Sequence, residues 1–97
     1  MEYDFGDSWD LIQVQASRQV LGMPISIQLS FSKSSNEVKC LELLECRDYG
    51  ILESLLDAER IVVKKLQGTQ AEFGSIKVEC FGESYAEYFC DEANEII

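Results

Sequence analysis

DYGILESLLDAERIVVKKLQG, residues 48–68, is the longest stretch of this chain with helical spacing, and the fold turns on how it is read. Ile51, Leu52, Leu55, Leu56, Val62, Val63 and Leu66 recur every three to four residues, so they line one apolar stripe of a helix spanning residues 50–67. Asp48 stands where a helix start wants a side-chain acceptor. Glu53 and Asp57 come early, Lys64 and Lys65 come late, and Gly68 is placed to end the helix. The stretch also holds a competing signal. Ile61, Val62 and Val63 form a β-branched run that could break away as a strand.

On the N-terminal side the period changes from three-to-four to two. Ile12, Val14, Ala16 and Val20 alternate with polar residues, as do Ile25, Ile27, Leu29 and Phe31, and residues 21–24 between them read as a hairpin loop. Pairing Val20 with Ile25, Ala16 with Leu29 and Val14 with Phe31 gives one apolar face with Arg18 as its polar intruder. The other face is polar and uncharged: Gln13, Gln15, Ser17 and Gln19 against Ser26, Gln28, Ser30 and Ser32. It reads as a solvated face or as a homo-oligomer contact through the sheet.

A turn over residues 33–36 leads to a third strand over residues 37–47. Val38, Cys40, Leu44 and Cys46 are expected to continue the buried face, with Leu41 and Leu43 on the other side; the Leu-rich centre also fits a helical turn.

After residue 68 the alternation returns in Ile76, Val78 and Cys80. If Gly82, Glu83 and Ser84 form a hairpin loop, Ile76 faces Cys90, Val78 faces Tyr88 and Cys80 faces Ala86. The outward side then presents Lys77, Glu79, Phe81, Tyr85, Glu87 and Phe89, with Glu79 opposite Glu87. Two like charges in register repel, which implies another register or a site awaiting a cation. Residues 84–97 are open to strand or helix, and residues 91–97 to fraying. The expected fold is α+β in the order β-β-β-α-β-β: an antiparallel sheet of about five strands packed on one helix. It forms a single domain over residues 1–97, with residues 1–8 as a flexible acidic arm.

Eight Lys and Arg stand against eighteen Asp and Glu in 97 residues, a formal charge of −10. The imbalance lies at the ends. Residues 1–10 carry net −4, residues 11–36 net +2, residues 37–77 net −2 and residues 78–97 net −6. Seven of the ten aromatics share the acidic ends: Tyr3, Phe5, Trp9, Phe81, Tyr85, Tyr88 and Phe89. Such a charge argues against nucleic acid or an anionic membrane as a direct partner, because phosphate attraction needs excess Lys and Arg. No apolar run reaches the roughly 18 residues of a membrane span, and the start lacks a basic leader, so a cytoplasmic location is expected.

The absence of His removes the commonest general base and activator of nucleophiles, and the scattered glycines form no phosphate-binding loop. The chain reads as no enzyme, with no cofactor. Cys40, Cys46, Cys80 and Cys90 lack the short chelating spacing of zinc sites, and Asp4, Asp7 and Asp10 do not match a calcium loop, so no metal is expected and the thiols read as reduced core residues. What remains is a small acidic binding protein that docks on a basic protein surface, of the inhibitor, immunity or nucleic-acid-mimic type. Glu79, Phe81, Tyr85, Glu87, Phe89 and Trp9 are its candidate contacts. The alternative is a small-ligand domain or accessory enzyme subunit with a pocket between helix and sheet.

Overall fold

Residues 48–67 split into a short helix and a strand, and Gly68, expected to end the helix, lies outside the described residues. In the computed structural model, which describes residues 2–6, 8–18, 24–34, 36–67 and 75–96, the elements are β1 (Glu2–Phe5), β2 (Trp9–Ser17), β3 (Ile25–Lys33), β4 (Val38–Cys46), α1 (Gly50–Asp57), β5 (Arg60–Lys65), β6 (Ile76–Phe81), β7 (Tyr85–Cys90) and β8 (Glu92–Ile96). The expected helix over residues 50–67 is thus correct only for its first half. Asp48 does lead into it, its Oδ1 accepting the Gly50 N–H at 2.8 Å. At Ala58 the backbone turns extended, and the Glu59 N–H donates to the Phe81 carbonyl at 2.8 Å, drawing the chain onto β6. The β-branched run then takes the strand, where its side chains are less crowded than in a helix. Ile51 and Leu55 of α1 are fully buried, whereas Leu56, expected on the apolar stripe, is 68% exposed.

The strands form two sheets rather than one of about five strands. Their orders are β1-β5-β6-β7 and β2-β3-β4-β8, and every pairing is antiparallel. One hydrophobic core joins them, with Ile27, Leu29, Phe31, Leu41 and Leu43 from one sheet against Phe5, Ile61, Val63, Val78 and Cys90 from the other. Glu2–Phe5, expected within a flexible acidic arm, is an edge strand paired to β5, and the Phe5 ring stacks on Phe31 at 3.7 Å between centroids. Residues 85–90 and 92–96, whose sequence fits either strand or helix, are both strands. The single residue Asp91 carries the chain from one sheet to the other.

Two registers differ from expectation. The β2–β3 hairpin is offset by two residues, with Val14 opposite Leu29 and Ala16 opposite Ile27. An offset of two keeps each side chain on its expected face. A bulge between Leu11 and Gln13 moves Leu11 opposite Phe31 and leaves Ile12 57% exposed. The expected pairing of Val20 lies outside the described residues. In β4 the faces are the reverse of those expected along most of its length. Leu41 and Leu43 lie in the core opposite Leu29 and Ile27, while Val38 is exposed and Cys40 and Leu44 are half-buried. Cys46 is nonetheless buried, because the register shifts before it and Glu45 adopts a positive φ of 62°.

Candidate functional site

The hairpin β6–β7 has the expected register, including Glu79 opposite Glu87, and it places Glu79, Phe81, Tyr85, Glu87 and Phe89 on one outward face. Continuing that register across β5 and β1 lines up three rows. Asp4, Val62, Glu79 and Glu87 make one, Arg60, Phe81 and Tyr85 a second, and Glu2, Lys64, Lys77 and Phe89 the third. Carboxylates in the middle row are therefore bracketed by cations. Lys64 Nζ reaches Glu79 at 2.9 Å, Lys77 Nζ reaches Glu87 at 3.1 Å and Glu79 at 3.8 Å, and the Arg60 guanidinium grips both Asp4 oxygens.

Tyr85 completes this lattice, its hydroxyl donating to Glu79 at 2.6 Å and to Glu87 at 2.7 Å. The like-charge clash expected from sequence is thus relieved by a phenol and two lysines of the same chain. Burial opposes ionisation of Glu79, but hydrogen bonds from Tyr85 and Lys64 and the charges of Lys64 and Lys77 outweigh it, holding its carboxyl below the usual range. Glu87 is held low by hydrogen bonds from Tyr85 and Lys77, and the Tyr85 hydroxyl is pushed up by burial and by its two carboxylate acceptors. Phe81 and Phe89 are half-buried. Phe81 lies 5.1 Å from the Tyr85 ring and 5.2 Å from the Arg60 guanidinium carbon.

Trp9 does not join this face. It packs edge-on to Phe5, 5.7 Å between centroids, and Lys33 and Lys39 lie over its ring at 4.7 and 5.9 Å. The N-terminal aromatics therefore fill the space at Phe31 instead of covering the outward hairpin face.

A second acidic region takes shape only in the fold. Between α1 and the β6–β7 hairpin lies an open groove of about 650 Å³, with Glu53, Asp57, Glu59 and Glu83 among its lining residues and no Lys or Arg. All four carboxylates belong to exposed residues without an ion-pair partner among the described residues. The groove is held open by specific contacts. The Ser54 and Tyr88 hydroxyls share a hydrogen bond of 2.6 Å, tying helix to β7. Gly82 sits so near the end of α1 that a Cβ there would come within 3.3 Å of the Asp57 carbonyl oxygen, so the turn carrying Glu83 leans against the helix. The spacing of Glu53 and Asp57 already put two carboxylates on one helix face; only the packing of the hairpin on α1 adds Glu59 and Glu83.

Cys80 borders the groove, and burial pushes its thiol up to about 11, so it is a poor nucleophile there. Cys46 and Cys90 are buried and hydrogen-bonded to each other, which with desolvation pushes the Cys90 thiol up further; Cys40 is half-buried. All four are free thiols. Among the described residues no helix is long and apolar enough to cross a membrane. No family model, curated protein or solved structure matches the chain.

Proposed function

We propose that this chain is a non-enzymatic binding protein that docks on a basic protein partner, and that the partner's Lys and Arg side chains enter the groove between α1 and the β6–β7 hairpin. The observation that carries this reading is the base-free groove wall of Glu53, Asp57, Glu59 and Glu83. Four carboxylates held on one concavity raise the local cation concentration and speed encounter, and a guanidinium can take two of them at once. The Tyr88 ring offers an apolar and cation-accepting wall beside them. The outward face of Glu79, Phe81, Tyr85, Glu87 and Phe89 is a weaker dock, because Lys64 and Lys77 already neutralise its acids.

A small cationic ligand such as a polyamine is the second reading, favoured by the groove volume of about 650 Å³. Fluorescence anisotropy with an Arg-rich peptide, repeated with spermine as competitor, tests both. Glu53→Lys with Asp57→Lys should remove peptide binding, and affinity should fall steeply as salt rises. If that variant binds the peptide as well as the parent does, the groove is not the dock. If spermine binds tightly and the peptide does not bind, the small-ligand reading replaces the first.

A further inference from the structure

Arg47, Arg60, Lys64 and Lys77 each hold a carboxylate of the chain. Lys33 and Lys39 make no ion pair among the described residues, although eighteen acids stand against eight bases in the sequence. The register brings these two lysines together. Trp9 stands opposite Lys33 and Phe31 opposite Lys39, so all four share the inward side of their sheet, with the lysines as diagonal neighbours across β3 and β4. The Lys33 N–H donates to the Glu37 carbonyl at 2.9 Å, which closes the turn between the two strands. The site lies where the core gives way to solvent: Phe31 is buried, whereas Lys33, Lys39, Trp9 and Tyr3 are half-buried.

Lys33 Nζ lies 4.7 Å from the Trp9 ring centre, and Lys39 Nζ lies 5.9 Å from the ring centres of both Trp9 and Tyr3. The ring faces hold the two ammoniums in place without cancelling their charge. Nearby acids do not cancel it either. Glu37, in the turn, and Glu95, opposite Leu41 on β8, are exposed and pair with neither lysine. Glu2 and Asp4 of β1 belong to the rows of the outward face of the other sheet. Like charges on adjoining strands repel. Between Glu79 and Glu87 the chain answers that repulsion with its own lysines and Tyr85; between Lys33 and Lys39 it supplies no described anion.

We propose that Lys33 and Lys39 form an anion site for a phosphate monoester group, with Trp9 as its wall. A dianion balances both ammoniums, which one carboxylate does not, and lysine binds phosphate as a point charge. The net charge of −10 opposes a long polyanion, but a single phosphate senses mainly the charges within a Debye length, and residues 11–36 contain no acid. None of these residues lines the groove beside α1, so either proposal can fail without the other. Trp9 is the only tryptophan, and its emission reads the site directly. Titration with inorganic phosphate at constant ionic strength should change that emission saturably, and calorimetry, which does not depend on the indole, should give the same affinity. Lys33→Gln and Lys39→Gln should each weaken binding roughly tenfold with circular dichroism unchanged. Arg18→Gln, which removes an equal charge just past the far end of β2, should not. A phosphoserine peptide that binds more tightly than inorganic phosphate places the ligand on a protein, equal or weaker affinity places it among free phosphate compounds, and both support the site. The proposal is overturned if phosphate gives no saturable response, if either lysine variant binds it as the parent does, or if a peptide with Glu in place of phosphoserine binds as well as the phosphorylated one.

Discussion

The outward face of β1-β5-β6-β7 and the groove beside α1 are both rich in carboxylates, and they differ in what those carboxylates have left to offer. On the sheet face, Asp4, Glu79 and Glu87 are each taken up by Arg60, Lys64 or Lys77, and Tyr85 bridges the two glutamates. In the groove Glu53, Asp57, Glu59 and Glu83 line one concavity with no cation among the lining residues. Counting acids along the sequence treats the two alike. Only the register of β5 against β6 shows that one set is spent on holding the sheet together. A cluster that completes itself stabilises the fold, whereas one that does not is available to a partner.

Glu79→Lys separates the two regions most sharply. It would set a third ammonium beside Lys64 and Lys77 at a position only 9% exposed, so the fold should lose about 3 kcal/mol or more in urea denaturation. An unchanged denaturation midpoint would mean that the sheet-face lattice is not structural. Neutralising the groove through Glu53→Gln, Asp57→Asn, Glu59→Gln and Glu83→Gln should instead shift stability by no more than about 0.5 kcal/mol, because each residue is exposed and has no ion-pair partner among the described residues.

Next in size is Tyr85→Phe, which deletes the bridge and should cost about 1 kcal/mol. The loss should be greatest near neutral pH, where both glutamates are charged. Asp4→Asn removes a solvent-exposed ion pair with Arg60 and should cost only about 0.5 kcal/mol, vanishing in high salt.

Acid titration sharpens the same contrast. Asp4 and Asp91 lie below their ordinary value of 3.8, and Glu79 and Glu87 below 4.5. A carboxyl whose folded value is depressed binds fewer protons folded than unfolded. Its stabilisation is therefore complete above the unfolded value and is lost as pH falls toward the folded one. Stability should hold from neutrality down to about pH 5 and then decline, and Glu79→Gln should make that decline shallower. An equal slope in parent and variant would show that Glu79 is not held low by its partners.

Legibility in the sequence followed local signals. The β6–β7 register was readable because Ile76, Val78 and Cys80 match Cys90, Tyr88 and Ala86 across a Gly82 turn, and nothing interrupts either strand. The faces of β4 were not readable. The irregular backbone at Glu45 changes parity before Cys46, so counting back from that cysteine puts Val38, Cys40 and Leu44 on the wrong side. The end of α1 was hidden as well: Ala58 and Glu59 carry neither Gly nor Pro, and Val62, Val63 and Leu66 happen to extend the helical spacing. The outward hairpin face was found as a constellation, but its neutralisation by Lys64 required the β5 strand that the helical reading concealed. A pocket between helix and sheet was among the expectations, but its acidic lining escaped because Glu83 stands 24 or more residues from Glu53, Asp57 and Glu59, and only tertiary packing unites them.

Titrating the 15N-labelled chain with an unlabelled Arg-rich peptide, and following each amide signal, tests the central claim most directly. Saturable shifts confined to residues 53–59 and 82–84 are the expected result, with the signals of Lys77, Glu79 and Glu87 left in place. Shifts centred on residues 77–81 and 85–89, with the helix unmoved, would contradict it and return the dock to the sheet face.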